Sequence, residues 1–567
     1  MWAVTLNPGL VLIIGAVFTL AAPSMVRSAI MAFAGFFGLF LLLSPDFGAY
    51  DTFGQIGLTV VPFTLDALNQ TFGIAFIASV ILLAIAANVR RGRAEDAAIM
   101  LMAGGATASL FVGDLVSFVA ASSLAGLAAA WVVFSSSREG ADGAGVRLLV
   151  WRGLESLLLL AGLALHLSTG AANSMLERMD VGQLGDLMIL AGLLIRVGAP
   201  MAHVWLKDAV AHASPVGGAA LTVYSSMIGI YALARLFPGE YALVYVGLAM
   251  MALGVFFASA EEDLRRAGAY ALTAQTGLCL ILIGLGTPLA LAAAVAHAFT
   301  LVFAFLFFAI AAGALIARLG DGGLAGLQGG AKTAPAGALL TSLAGLAIAG
   351  APGLGVYVSF AAALEAVAQW QDRWLWLAAL AMSACLTVAL GARSALAFYA
   401  HVAKREKAEL REAPFPLLLA GALAAFFCFA ISLRPDWLYE LAPASLAFAP
   451  YALDRLAPQV ELMAAAIALF AACSAIGLAP KPNGRRLWDF DALFRGPVSG
   501  AGRWCGVVML RLYGAAHAAL ARLLEQAGSA LSRFSRLCDQ PYADKAAGAW
   551  QLVSICALLL LILAARS

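Results

Sequence analysis

Three charged side chains fall inside apolar runs long enough to lie within a bilayer: Arg152 and Glu155, three residues apart and so on one helical face, and Arg196. Each such charge costs about 2.5–3.5 kcal/mol to place at the centre of a membrane helix, so each needs a reason to be there. A carboxylate among arginines can be a fixed structural pair or a stage on an ion route, and the residue types alone allow both. His297, in another apolar run, is the side chain whose ordinary pKa lies near neutrality, which suits a proton relay or a hydrogen-bonded core position. Glu365, near the end of a further run, is either on such a route or simply solvated. These five residues are the ion-translocation candidates. Nothing points to a catalytic centre, a metal or a cofactor. His166, His203, His212, His401 and His517 have no metal-ligand spacing, and the seven cysteines (Cys279, Cys385, Cys428, Cys473, Cys505, Cys538, Cys556) stand singly and read as small buried apolar residues.

The elements that must position these charges follow from composition. Of 567 residues, 63% are hydrophobic and 12% charged, with a mean hydropathy of +0.93, well above the share of soluble domains. The net charge of +2 offers no basic field for nucleic acid. Apolar runs able to cross about 30 Å of hydrocarbon predict sixteen spans, near 8–23, 28–44, 69–88, 97–113, 114–135, 147–168, 184–205, 216–236, 240–259, 268–287, 288–316, 336–368, 374–399, 415–433, 460–479 and 548–565. Alternate loops carry the Lys and Arg clusters, among them Arg90-Arg91, Arg265-Arg266 and Lys404-Arg405. The opposite loops are poor in both, and 45–68 holds Asp46, Asp51 and Asp66 with no basic residue. The positive-inside rule then places the N-terminus outside a bacterial-type inner membrane.

Two spans carry a Gly/Pro interruption, Gly198-Ala-Pro200 in the seventh and Gly350-Ala-Pro352 in the twelfth. Proline breaks a helix, and lipid tolerates a break only where the freed groups face protein or a water-filled cavity. Spans 4–8 and 9–13 form two five-helix blocks of opposite starting orientation, each broken at its fourth helix, the pattern of inverted repeats around a transport path. The division predicted is a three-helix region 1–94, a first repeat 95–237, a second repeat 238–400, a helix pair 401–480, an amphipathic region 481–545 and a final anchor 546–567. Within 498–537, Arg511, Arg522 and Arg533 recur every eleven residues opposite Val508, Leu512, Leu520 and Leu531, which predicts a helix lying along the membrane surface.

The run Leu194-Ile-Arg196-Val-Gly-Ala-Pro200-Met-Ala-His203-Val-Trp205-Leu-Lys207-Asp208 resembles the Lys-x-x-x-x-Pro-x-His-x-Trp-Leu-Pro-Asp segment of antiporter-like proton-translocating subunits of respiratory complex I, Mrp cation/proton antiporters and membrane-bound hydrogenases. Asp263-Leu-Arg-Arg-Ala-Gly-Ala-Tyr270 with Gln275-Thr-Gly277, Gly229-Ile-Tyr231-Ala-Leu-Ala-Arg235, and Pro62-Phe-Thr-Leu-Asp66 are similar to further motifs of that family. Asp489-Phe-Asp491-Ala-Leu-Phe-Arg495 resembles the segment preceding the C-terminal extension of Mrp D-type subunits, the nearest branch. The resemblance implies an all-α polytopic fold with paired five-helix repeats, broken helices, a lateral amphipathic helix and an anchor. It also implies a mid-membrane row of proton-carrying groups, and here the chain departs. The positions of the family's acidic and basic row are Ser123, Arg196, Met227, Leu301, Phe305 and Phe360, with His297 kept. Arginine releases no proton at ordinary pH, and the other replacements relay none.

Together these residues imply an antiporter-like subunit of a proton- or cation-translocating or energy-converting complex with a degenerate charge row. Alternatives are a transport-silent scaffold and an energy-coupling partner for uptake of another solute such as inorganic carbon. The implied partners are other membrane subunits, another antiporter-like one among them. Any redox chemistry, as in an NADH-quinone oxidoreductase-like or hydrogenase complex, would belong to those partners. Depth arithmetic adds a pairing: Glu155 lies roughly 12 Å in from Arg147, and Arg196 roughly 18 Å in from the opposite face, which levels the two within a core of about 30 Å. The topology is checked by thiol labelling of Lys404→Cys in intact cells. No labelling from outside is expected, and ready labelling would reverse the orientation.

Overall fold

The computed structural model describes residues 6–478 except 51, 56–57, 89–91, 401–410, 445 and 447–448, together with 489–490. The chain begins with α1 (Pro8–Ala21) and α2 (Ser24–Leu43). Strands β1 (Gly48–Tyr50), β2 (Phe53–Gln55), β3 (Leu58–Val60) and β4 (Phe63–Leu65) precede α3 (Ala67–Ala86). A first series follows: α4 (Arg93–Phe111), α5 (Leu115–Phe134), α6 (Ala141–Ser168), α7 (Leu184–Val197), α8 (Val204–His212) and α9 (Pro215–Leu236). A second comprises α10 (Ala242–Ala260), α11 (Leu264–Leu285), α12 (Pro288–Leu319), the short α13 (Leu324–Leu327), α14 (Pro335–Ile348), α15 (Gly355–Gln369), α16 (Arg373–Leu386) and α17 (Arg393–Tyr399). Then come α18 (Phe415–Leu433), α19 (Pro435–Leu441) and α20 (Leu453–Ala475).

Eleven of the described helical segments are long and apolar enough to cross a membrane. The remaining expected spans within the described residues also hold helices, but shorter or more polar ones: α1, α4, and the pairs α7/α8 and α14/α15. The stretches 498–537 and 548–565, where the lateral helix and the anchor are expected, lie outside the described residues. Helices α9 and α11 are wholly buried and α12 nearly so, while α20 keeps most of its apolar surface outward. The core therefore runs along α9, α11 and α12, apolar on all sides as a helix surrounded by helices must be.

Helix starts follow local capping chemistry. Asp114 caps α5 by accepting from the Ser117 N–H at 2.8 Å, Asp66 and Asn69 form a reciprocal box at α3, and Ser214-Pro215 and Thr287-Pro288 open α9 and α12. Asp114 and Asp263, the caps of α5 and α11, also carry the same small bridge. Leu115 N–H donates to Asn173 and Met175 N–H to Gly113, just as Leu264 N–H donates to Gly322 and Leu324 N–H to Glu262.

Three features differ from the sequence expectation. The 45–68 segment is not plain loop: β1 pairs antiparallel with β4 and, nested within them, β2 with β3. Its Leu-Thr-Val-Val and Phe-Thr-Leu runs favour extended backbone, and Val61 is bonded in both directions to Asp114 and Gly113. Span 13 is interrupted by a π-helical turn at Thr387–Ala392, a device that adds a residue to one helical turn. Among the cysteines, Cys279 and Cys428 are buried as expected, but Cys385 is exposed and Cys473 partly so, each on a helix flank turned away from the core.

Helices α10 and α11 meet at backbone distance, because a Cβ on Gly277 would stand 2.6 Å from the Gly247 carbonyl oxygen. Gly277→Ala is expected to cost about 1–3 kcal/mol, read as a lower thermal midpoint in detergent. Gly153→Ala, at a position with nothing within 4 Å of the added carbon, is the control expected to change little.

Candidate functional site: a buried ion cluster beside a broken helix

The seventh span breaks where Gly198 enters the left-handed region (φ 81°) and Met201 follows it there (φ 74°). Ala199 N–H closes onto Leu194, and the Trp205 indole N–H returns from α8 to the Ile195 carbonyl at 3.0 Å. This last bond adds a second donor to a carbonyl that already accepts from the Gly198 N–H at 3.2 Å. It also plants the Trp205 ring beside α6, where the Arg152 guanidinium lies 3.9 Å from the ring centroid.

Around that ring the structure brings Arg152, Glu155 and Arg196 together. Glu155 Oε2 accepts from Arg152 Nη1 at 2.6 Å, and Glu155 Oε1 accepts from Arg196 Nε. Arg196 Nη2 donates to the Ser122 carbonyl of α5 at 2.9 Å. None of the three side chains is more than 2% exposed. The contact between Glu155 and Arg196 is the one their matching depths imply, and Arg152 is the third member. Glycines make the space: a Cβ on Gly126 would meet the Arg152 stem at 3.2 Å, and one on Gly229 the Arg196 stem at 3.3 Å. Two guanidiniums face one carboxylate, so the cluster is formally +1. Arg152 Nε and Nη2 have no hydrogen-bond partner among the described residues, which leaves the Trp205 face as the contact shown for that side of the guanidinium.

Chemically the cluster is static. Both carboxylate oxygens of Glu155 are taken by guanidinium N–H groups, and arginine offers no acceptor through which a proton could be relayed. The surrounding family positions add no carrier. Met227, Leu301, Phe305 and Phe360 are buried and apolar. Ser123 is only partly buried, and it is the neighbouring Ser122 that turns to Arg196.

His297 belongs to a separate, neutral network. At the second break, Pro352 follows Gly350 (φ 79°), and each freed carbonyl is taken by a side chain. Gln275 Nε2 donates to Ile348 at 2.5 Å, Ser383 to Ala349 at 2.7 Å, and Gln459 Nε2 to Gly350 at 2.7 Å. With its amide nitrogen so engaged, Gln275 offers its oxygen to His297 Nε2 at 3.0 Å, which makes Nε2 the protonated nitrogen. Nδ1 then accepts from Ser359 at 3.0 Å, and Ser359 is bonded in turn to Thr300 at 2.7 Å. Both ring nitrogens are satisfied by groups that do not titrate. Glu365 lies apart from both clusters, in a half-exposed pair with Arg455 at 3.1 Å.

A fourth group joins residues that the sequence marked only as parts of two separate motifs. Asp489, immediately after an undescribed stretch, is buried against both halves of the chain. Its Oδ1 accepts from His203 at 3.2 Å, and its Oδ2 from Tyr270 at 2.5 Å and from Lys207. Burial pushes its carboxyl up, but the bonds from His203, Lys207 and Tyr270 outweigh this and hold it well below the usual carboxylate range. Its contribution to stability is therefore complete above the unfolded pKa of about 3.9 and lost only as pH falls through the lowered value. The available signal was the spacing of His203, the N-cap of α8, and Lys207, four residues on within it.

Residues 112–387 match the family described as NADH:quinone oxidoreductase/Mrp antiporter, transmembrane. NADH-quinone oxidoreductase subunit N of Mycobacterium sp. (strain JLS) is 26% identical over 339 residues, which cover 56% of this chain and 71% of that one. The chloroplastic NAD(P)H-quinone oxidoreductase subunit 5 of Fagopyrum esculentum subsp. ancestrale is 28% identical over 112 residues, and the match spans only 15% of that relative's length. Among solved structures, a chain of the Mrp complex from Dietzia sp. superposes with a TM-score of 0.69 at 17% identity, covering 81% of this chain and 99% of that one. A chain of Thermus thermophilus respiratory complex I gives 0.66 at 19%, covering 80% and 99%. These similarities bear out the resemblance read from the motifs and the membrane antiporter-like fold.

The pairing is tested by a double-mutant cycle. Arg196→Met leaves Glu155 with only Arg152 and is expected to cost about 3–5 kcal/mol, the loss typical of breaking a buried pair. Glu155→Gln in the same chain is expected to recover part of it, and simple additivity in thermal stability would contradict direct coupling.

Proposed function

We propose, for a chain whose residues 112–387 match the NADH:quinone oxidoreductase/Mrp antiporter family, that it is a subunit of a multisubunit energy-converting membrane complex and that its own proton row is silent. The observation that carries this is Glu155 held between Arg152 and Arg196. Where the resemblance implies a lysine that takes up and releases a proton, an arginine bonded to a buried carboxylate stands instead. The His297 network is saturated by neutral partners, and apolar side chains flank it at Leu301, Phe305 and Phe360.

In this reading the two series α4–α9 and α10–α17 are inverted repeats. Support comes from the repeated Gly-Ala-Pro breaks and from the matching bridges at Asp114 and Asp263. The chain sits in a bacterial-type inner membrane with its N-terminus outside, and its partners are other membrane subunits, another antiporter-like one included. Its contribution is to hold the fold and pass mechanical constraint between neighbours, while proton movement runs through them.

Purified protein reconstituted in liposomes is expected to show little proton flux under a pH gradient, at least tenfold below a related subunit that carries the full charge row. Flux equal to that subunit would overturn the silent reading.

A further inference from the structure

Helix α8 is a nine-residue rod with non-helical backbone at both ends. Gly198 and Met201 are left-handed before it, and Ala213 and Ser214 are extended after it. A rod joined in this way can shift as a unit, because a few residues at its ends absorb the change in dihedral angles. Its position is therefore set by its side chains. Arg147 holds Asp208 in the C-terminal half of α8 through bonds of 2.6 and 3.0 Å, but the Arg147 side chain is half-exposed, and pairs open to solvent contribute little.

The buried fastener is Asp489. It takes bonds from His203 at the N-cap of α8, from Lys207 within α8 and from Tyr270 on α11, so one carboxylate ties the rod to the second series. It is the hydrogen-bond partner of the His203 ring among the described residues, since His203 Nδ1 is buried and has none. Phe490 adds to the contact: its N–H donates to Asp489 Oδ1 at 2.6 Å, and its ring stands edge-on to the His203 imidazole with centroids 6.0 Å apart. In the segment that this run resembles, proline stands at the position of Lys207, and proline could supply no such donor. Trp205 lies between His203 and Lys207 in the chain, and its ring serves the other neighbours of α8, bonding the Ile195 carbonyl of α7 and covering Arg152 of α6. Arg152 Nε and Nη2 have no hydrogen-bond partner among the described residues, so whatever moves α8 moves the contact that covers them.

We infer that Asp489 and Phe490 act as a strap that holds α8 against α11 and, through Trp205, keeps the cluster of Arg152, Glu155 and Arg196 closed to water. With the strap released, α8 shifts about its two non-helical ends, the indole leaves the guanidinium, and the spare N–H groups of Arg152 take up water. The inference rests on the reading of that cluster as a closed and silent one, and it adds what keeps it closed.

The test uses the full-length protein in detergent, unaltered and as Asp489→Asn, which keeps the shape of the side chain and removes its charge. Two local readouts are taken: hydrogen exchange of the backbone amides of 199–212, and labelling of Arg152 by phenylglyoxal, read on its peptide by mass spectrometry with exposed Arg434 as the internal reference. Asp489→Asn is expected to speed exchange across 199–212 at least tenfold and labelling of Arg152 at least fivefold, with exchange at the second break, 347–354, unchanged. Should that variant fail to fold, Tyr270→Phe removes the α11 donor alone and is expected to speed exchange across 199–212 at least threefold. Unchanged exchange, exchange that rises evenly through α8, α9 and α12, or faster exchange with Arg152 still unlabelled would each overturn the inference. Proton flux into liposomes is followed on the same preparations. Flux by the unaltered protein bears on the silent reading alone, whereas exchange and labelling bear on the strap.

Discussion

A backbone carbonyl released inside hydrocarbon must find a donor within the protein, and both broken helices are arranged around that requirement. At the first break the Ile195 carbonyl accepts both from the Gly198 N–H and from an indole N–H, and the ring that brings the second donor also covers a guanidinium. At the second, two glutamines and a serine from α11, α16 and α20 close three consecutive carbonyls. The same Gln275 that mends the backbone fixes the tautomer of His297. Each break is thus inseparable from the polar residues around it. Replacing one of those residues changes both the local backbone and the chemistry of its neighbours.

The two centres solve burial differently. The first keeps formal charges and balances them by contact, two guanidiniums against one carboxylate with an aromatic face and a carbonyl taking further positive charge. The second avoids charge, linking imidazole, hydroxyls and amide into a chain of neutral bonds. Charged contacts of the first kind give rigidity and a strong dependence on the exact partners, whereas a neutral network is tolerant of conservative exchange so long as every donor stays matched.

Much of this was legible in the sequence because bilayer thickness and helical rise convert residue number into depth. That conversion is why Glu155 and Arg196, forty-one residues apart, could be matched without coordinates. The breaks at Pro200 and Pro352 were equally legible, since proline and glycine act locally. Asp489 was not: it lies 282 residues from Lys207, and no periodicity connects a loop acid to a helix so distant in the chain. The strands between 48 and 65 escaped notice because their runs are only three residues long, too short for alternation to register. The turn at Thr387–Ala392 left no mark either, as an added residue in an apolar helix changes no composition. Ser122 stands one place from the position that the resemblance marks, a shift visible only once the face of α5 is known.

The placement of Glu155 on the same helix as Arg152 bears on how the chain enters the membrane during synthesis. Asp142 and Arg147 lie in the first two turns of α6; deeper in, its acid and base are three residues apart and bonded, so the two charges of the apolar part largely cancel. Helix α7 carries Arg196, and its only acid, Asp186, is engaged with His166 at 2.5 Å. For the Arg196 charge the carboxylate comes from the preceding helix, through the second oxygen of Glu155. The order in which the helices emerge from the ribosome is also the order in which their charges can be accommodated, and exchanging Glu155 and Arg196 between helices would leave α6 with two unopposed arginines at the moment of entry.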